Sequence, residues 1–232
     1  MIKVEIWSDV VCPFCYVGKE RFENVLSTFE YKDQVEVIWK SFELDPISKP
    51  APNTSALDDL ARKKGWSQSQ INESTQYLTQ IGKVENIDFQ FNKSKAVNTN
   101  HLHRLLHLAA AYQLQNELKL AFFKAYFTNG IDLNVETEVI KITSALGLPT
   151  DKVTEVLHSD LYAAEVKADQ LQAQKIGVRG VPFFVFNNEF AVSGAQERRT
   201  FAEALQKAKE GHVIAITDNN PALACDVDNP NC

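Results

Sequence analysis

Hydrophobic positions alternate at the start of the chain. Ile2, Val4 and Ile6 are interleaved with Lys3, Glu5 and Trp7, the period-2 pattern of a strand. After Pro13 the period becomes helical, carried by Tyr16, Phe22, Val25, Leu26 and Phe29. Val35 to Phe42 is β-branched and aromatic and predicts a second strand. Strand, helix and strand in about forty residues make a βαβ unit with a right-handed crossover. Three prolines between Pro46 and Pro52 mark a loop. The pattern is then helical for more than a hundred residues. Ser67-x-x-Gln70 reads as a capping box. Leu102, Leu105, Leu106, Ala109 and Tyr112 share one helix face. So do Leu118, Phe122, Ala125 and Tyr126, a run ended by Asn129-Gly130. Asn134 is placed to cap a helix that Gly147 and Pro149 stop. One more helix is expected from about Asp151 to Lys175.

Strands return at Val181 to Phe186. Asn187-Asn188 can supply two positive-φ residues for a tight hairpin returning over Glu189 to Val192. Ser193-x-x-Gln196 would cap a last helix with Phe201, Ala204, Leu205 and Ala208 inward, closed by Gly211. His212 to Cys232 reads as a mostly polar tail. The order is βαβ, a helical block, then ββα. The flanking pieces have complementary edges and join into one sheet, with the helical block inserted in a connection.

Composition narrows the function classes. The 24 Lys+Arg against 30 Asp+Glu give a net charge of −6, which argues against a nucleic-acid role. The longest apolar run, Leu108 to Tyr112, is far too short for a membrane span. Met1 to Ile6 lacks the apolar core of a signal peptide, so the expected location is cytoplasmic.

Cysteine placement adds the chemistry. Cys12 and Cys15 form a Cys-x-x-Cys after the first strand, at a helix start. Unpaired N–H groups there favour a thiolate at Cys12, and Cys15 lies one turn inside, within reach to close a bridge. Pro13 suits the first helical position. This reading predicts Cys12 to be the more exposed and more acidic thiol. Two inert buried cysteines, or a zinc site completed by Cys225 and Cys232, are the competing readings. Gly180-Val181-Pro182 opens a strand with a residue that cannot donate to a ladder. A cis bond would turn the Val181 backbone toward a ligand lying across the cysteines, and a trans proline that merely begins the strand is equally open to the sequence.

Other residues read more blandly. His103 and His107 share a helix face at a metal spacing without a third ligand, and fit hydrogen-bonded histidines. Asn98 reads as a helix cap first and a cleft residue second. Trp7, Trp39, Trp66 and the aromatics from Phe122 to Phe127 read as packing. The turn-forming segment between Cys225 and Cys232 would let them form a second redox pair, with two functionless exposed thiols as the alternative.

The combination Cys12-Pro13-Phe14-Cys15 with Val178-Arg179-Gly180-Val181-Pro182-Phe183-Phe184-Val185 resembles the DsbA-like branch of the thioredoxin superfamily. Ser8-Asp9-Val10-Val11-Cys12-Pro13, Asn98 with His103-Arg104-Leu105, Phe123 to Phe127 and Ser193-Gly194-Ala195-Gln196 resemble its FrnE-like oxidoreductases. The resemblance spans about Ile2 to Lys209. It implies an α/β thioredoxin fold from 1–45 and 176–211, a helical insertion over 46–175 and a tail over 212–232. It also implies a cis Pro182 beside the reactive pair, and moves that reading ahead of the trans one. Phe14 stands where relatives carry His or Trp, so the pair should be less oxidising.

The expected protein is a thiol–disulfide oxidoreductase, an oxidoreductase or isomerase of protein and peptide disulfides. Cys12 attacks, Cys15 resolves, and Val181, Pro182, Phe14, His103 and Asn98 bind substrate. No metal or organic cofactor is expected. Glutathione would enter only as a substrate, a thiol partner would recycle the pair, and the chain would be a monomer or homodimer. Two other readings stand beside it. One is a glutathione-dependent isomerase or transferase of the kappa or 2-hydroxychromene-2-carboxylate isomerase type. Those families carry Ser in place of Cys12 and a Gly-Ser-Asp-Arg-like segment near Ser193, whose Asp is missing here. The other is a redox-inert binding module.

Overall fold

The computed structural model describes residues 1–49 and 53–211 and the backbone of Cys225–Asp226. Four strands form the main sheet: β1 (Ile2–Ser8), β2 (Val35–Ser41), β4 (Phe183–Phe186) and β5 (Phe190–Ser193). Their order is β2-β1-β4-β5. β1 pairs parallel to β2, with Ile6 opposite Trp39, and antiparallel to β4, with Ile6 opposite Phe184. The β1–β2 crossover is α1 (Pro13–Thr28).

Seven helices lie between β2 and the short strand β3 (Gly180–Val181). They are α2 (Ala56–Lys64), α3 (Gln68–Val84), α4 (Asn100–Ala111), α5 (Gln115–Phe123), α6 (Glu136–Ala145), α7 (Thr150–Leu157) and α8 (Ala163–Lys175). α5 runs on into one π-helical stretch, Lys124–Asn129, which Gly130 ends in the left-handed region. α9 (Arg198–Glu210) follows β5. The last described strand, β6 (Cys225–Asp226), pairs with β3. The expected α/β architecture is the one observed, with the βαβ and ββα pieces joined in one sheet and the helical block inserted between them.

The period-2 pattern of β1 sorts its residues between two cores. Ile2, Val4 and Ile6 face a cluster with Phe22 of α1, Phe184, Phe186 and Phe201 of α9. Trp7 faces the larger cluster built on the helices after β2, and its indole N–H donates to the Asp169 carbonyl at 3.0 Å. Burying such phenylalanines contributes roughly 2–3 kcal/mol each. At the outer edge of β2 the Gln115 amide bonds both the N–H and the carbonyl of Trp39, each at 3.0 Å.

Local signals fared unevenly. Asn187 and Asn188 both have positive φ, 52° and 58°, and turn the β4–β5 hairpin. The Ser67–Gln70 capping box is present in full. The cap expected of Ser193 and Gln196 is not. α9 starts after Glu197, and the Gln196 amide donates to the Ser193 carbonyl instead. Asn134 does not cap α6 either, because its amide is taken by the Ala96 carbonyl and Asp132. The helix expected over 151–175 is two helices. Arg104 donates to the carbonyls of Val156 and Ser159, and Tyr162 adopts φ 65°, so the chain turns between α7 and α8.

Candidate active site

α1 begins at Cys12 because Pro13 cannot extend a strand ladder and already has helical φ. Cys12 is the N-cap residue, with extended φ −91° and ψ 113°. Its Sγ accepts the Cys15 N–H at 3.4 Å and lies 3.5 Å from the Val181 carbonyl oxygen, to which the thiol donates. The Val181–Pro182 peptide bond is cis. Four expected site residues therefore meet: Cys12, Cys15, Val181 and Pro182. Both thiols are free. Gly18, one turn beyond Cys15, brings α1 against Pro182: a Cβ on Gly18 would lie 2.9 Å from the proline Cγ.

The expectation of an exposed, acidic Cys12 is corrected. Cys12 and Cys15 are both 0% exposed. Burial, then Cys15 and the Asp9 charge, push the Cys12 thiol well above its usual value; the Cys15 N–H pulls the other way and is outweighed. Phe14 is also fully buried, so it packs into the core and presents no surface to a substrate. His103 is buried as well and does not line the cleft. Its Nε2 donates to Asp9 Oδ1 at 3.1 Å, while Nδ1 has no partner among the described residues. Asn98 works at a distance. Its oxygen accepts the Asn100 N–H at the start of α4, and its amide donates to the carbonyls of Pro46 and Ser48. His107 hydrogen-bonds Ser41 Oγ and lies 3.1 Å from Asp169. Among the described residues no His, Cys, Asp and Glu group is placed to hold a metal. The pairing expected of Cys225 and Cys232 lies outside the described residues.

Asp9 and Lys119 were not singled out from the sequence. Asp9 is fully buried and accepts from Val10 N–H, Leu44 N–H and His103. Burial raises its pKa, but the His103 bond and charge, the Leu44 N–H and Lys119 bring it below the usual carboxylate value. Lys119 is buried with its Nζ 3.2 Å from the Ser8 carbonyl and above the rings of Phe123 and Trp39. Burial lowers it to about 8, against the pull of Cys15, Asp9 and Cys12. A lone lysine inside an apolar helical stretch was the available signal.

An apolar cavity of about 560 Å³ borders the pair. Val11 and Pro13 line it together with Leu44, Trp66, Phe91 and Tyr126. The loop that Asn98 holds forms part of its wall, through Pro46 and Ser48. Neither cysteine lines this cavity, and a second depression of about 630 Å³, lined by Phe42, Lys167, Gln170 and Arg179, lacks Val11 and Pro13 as well. Being bounded by Val11 and Pro13, the two neighbours of Cys12, the first is the one placed to serve the chemistry.

The model of the DSBA-like thioredoxin domain family matches residues 3–206. The chain belongs to that family. Within this DsbA-like family, the chain is 35% identical to a protein described as a probable DsbA oxidoreductase from Streptomyces coelicolor. That structure superposes with a TM-score of 0.86 over 97% of this chain and 99% of the other. An uncharacterised protein of Bacillus subtilis (strain 168), YwbO, is 26% identical over 207 residues, 88% of this chain and 96% of that one. A 2-hydroxychromene-2-carboxylate isomerase structure shares the fold at 15% identity, with a TM-score of 0.69 over 90% of this chain and 97% of the other. Among the described residues no helix is long and apolar enough to cross a membrane.

Proposed function

We propose that the chain is a dithiol–disulfide oxidoreductase acting on protein or peptide thiols and disulfides. The observation that carries this reading is the Cys12 thiol at the N-cap of α1, in contact with both Cys15 N–H and the Val181 carbonyl. A substrate strand added at Val181 would bring its own sulfur across Cys12. Cys12, as thiolate, attacks one sulfur of the substrate disulfide and the other leaves as a thiolate. Cys15 then attacks Cys12 Sγ, closing the Cys12–Cys15 disulfide and releasing the second substrate thiolate. The Cys15 N–H receives charge at Cys12, and Lys119 supplies the buried positive charge that both sulfurs feel. The cavity beside Pro13 takes an apolar side chain neighbouring the substrate cysteine. No cofactor is needed for these steps, and glutathione fits only as a small thiol substrate.

Insulin reduction by dithiothreitol is the direct test. Cys12→Ser should lose all catalysis, and activity retained in that variant would sink the mechanism. The direction of exchange follows from the Cys12 thiol. A thiol held protonated by burial gives a reduced form without the thiolate stabilisation that makes a strong oxidant. The Cys12/Cys15 potential, measured against glutathione buffers, should lie nearer about −270 mV than about −120 mV. A value at the oxidising end would overturn the reductant assignment.

A further inference from the structure

Tyr126 carries a polar group that the fold leaves unused. It belongs to the π-helical stretch Lys124–Asn129 that continues α5, and wide turns of this kind recur at functional sites. Its carbonyl accepts the Ser94 hydroxyl at 2.9 Å, and its ring stands edge-on to Phe127 at 4.8 Å. The side chain is thus held in place, and it is only 5% exposed. Its hydroxyl has no hydrogen-bond partner among the described residues, a costly state for a buried donor. Tyr126 lines the cavity beside Val11 and Pro13, as do Asp9 and Asp59. Burial, then the charges of Asp9, Asp59 and Asp132, push the phenol up, so it stays protonated and can donate.

The rest of the cavity suits apolar matter. Trp66, Ile71, Leu78 and Phe91 form its walls. Its volume of about 560 Å³ falls in the range that encloses a drug-sized ligand, roughly 300–1,000 Å³, so a single side chain leaves it part-empty. Ile47, at its rim, is 85% exposed although Asn98 pins the carbonyls of Pro46 and Ser48 on either side. An apolar side chain held out in water beside an apolar cleft marks a contact surface. The charges are set against acids. Asp45 also lines the cavity, and the Lys63 ammonium is already bridged between Asp45 and Asp59 at 2.6 Å each.

We propose that Tyr126 is a specificity-determining residue of the exchange reaction, its hydroxyl donating to a backbone carbonyl of a neutral, apolar stretch of substrate that puts two or more side chains into the cavity. This rests on the reading of Cys12 as the exchanging thiol and deepens it by naming the substrates that thiol selects. Val11 and Pro13, on either side of Cys12, form part of the cavity wall, so a chain joined to Cys12 through its sulfur has the opening within reach of its next residues. The apolar side chains leave water and supply the affinity. The carbonyl bond supplies the selection, because it forms only when the stretch enters far enough to meet the phenol. An acidic side chain would lose its water on entry and face Asp9 and Asp59. The substrates selected are cysteines set in core-type sequence, open to attack while a chain is unfolded, and not cysteines in acidic loops.

The test uses three disulfide-linked peptide dimers, acetylated and amidated, with serines at both ends. The single cysteine of each is flanked on both sides by two leucines, two alanines or two glutamates. Their reduction by the full chain is followed with dithiothreitol as reductant. The leucine peptide should have a kcat/KM at least about tenfold above the other two, since four apolar side chains are available to bury. Tyr126→Phe keeps the ring and removes the donor. It should raise KM for the leucine peptide about five- to tenfold with kcat unchanged, the loss expected for one hydrogen bond, and leave the alanine peptide as it was. Ser74→Phe, which narrows the cavity from α3, should also abolish the preference for leucine. Equal rates on the three peptides, or an equal fall for leucine and alanine peptides in Tyr126→Phe, would overturn the assignment. Insulin reduction by the wild-type chain tells the two failures apart. Insulin turnover without peptide preference removes only the role of Tyr126, whereas no turnover of insulin or of any peptide removes the exchange reading itself.

Discussion

At the residue scale the site is a buried charge problem. Cys12 sits at a helix N-terminus, which by itself lowers a thiol, yet the absence of solvent and the neighbouring Cys15 and Asp9 outweigh the one N–H it accepts. Asp9 illustrates the opposite outcome, since the hydrogen bond and charge of His103, the Leu44 N–H and Lys119 together outweigh its burial. Its folded pKa lies below the ordinary 3.8, so the unfolded chain binds the proton first as pH falls. The stability this contributes is complete above that ordinary value and is lost as pH drops toward the folded one. Asp9→Asn should therefore lower stability at neutral pH by ~1–3 kcal/mol and flatten the acid limb. Urea midpoints between about pH 5 and pH 2 measure this, and parallel acid limbs in the two proteins would exclude Asp9 as the titrating group.

At the element scale, contacts between elements set the geometry of the reactive pair. Gly18 allows α1 to rest on the Pro182 ring and on Ala195. Gly18→Ala gains helix propensity of ~1 kcal/mol. Its methyl would stand 2.9 Å from a rigid ring atom, and overpacking costs ~1–3 kcal/mol. The expected result is a melting temperature changed by only a few degrees with a clear loss of insulin turnover, because Pro182 and the Val181 carbonyl shift away from Cys12. Full turnover in the variant would mean that the Pro182 segment moves aside without consequence. The elements also show what the sequence could and could not disclose. Asn187-Asn188 and Ser67–Gln70 were legible because both partners lie within four residues. The predicted cap at Asn134 and the predicted Ser193–Gln196 box failed because the Asn134 and Gln196 side chains found other carbonyls, one of them on distant Ala96. Arg104 interrupted the helix expected over 151–175 from another element altogether. The cysteine pair and Pro182 were readable from motif and order; the exposure of Cys12, Phe14 and His103 depends on packing that no local pattern encodes.

At the scale of the whole molecule, Glu85, at the end of α3, ties the helices after β2 to α1 and α9. Its carboxylate accepts from Arg21 of α1 at 2.8 Å and from Arg198 of α9, and Arg21 also donates to the Ala195 carbonyl at 2.8 Å. Arg21 and Glu85 are both buried. Glu85→Ala would leave Arg21 with the carbonyls and the exposed Glu197 at 3.2 Å. Breaking a buried pair costs ~3–5 kcal/mol, and these remaining partners place the loss near the lower figure. Urea unfolding should show a reduced midpoint with one shared transition for tryptophan fluorescence and helical signal. Separate transitions would show that the two parts are held together elsewhere.

The Gln115 amide on Trp39 has a bearing on colony behaviour of the chain, that is, on what happens when many copies are crowded together. An outer strand with its peptide groups unused is a template on which another molecule's strand can grow. At Trp39 both groups are taken by a single side chain, and the indole N–H is taken by Asn116. A strand arriving at β2 finds no donor or acceptor free at that position and loses its register there. One glutamine thus gives this border of the sheet the blunt finish that keeps folded neighbours from fusing into fibres.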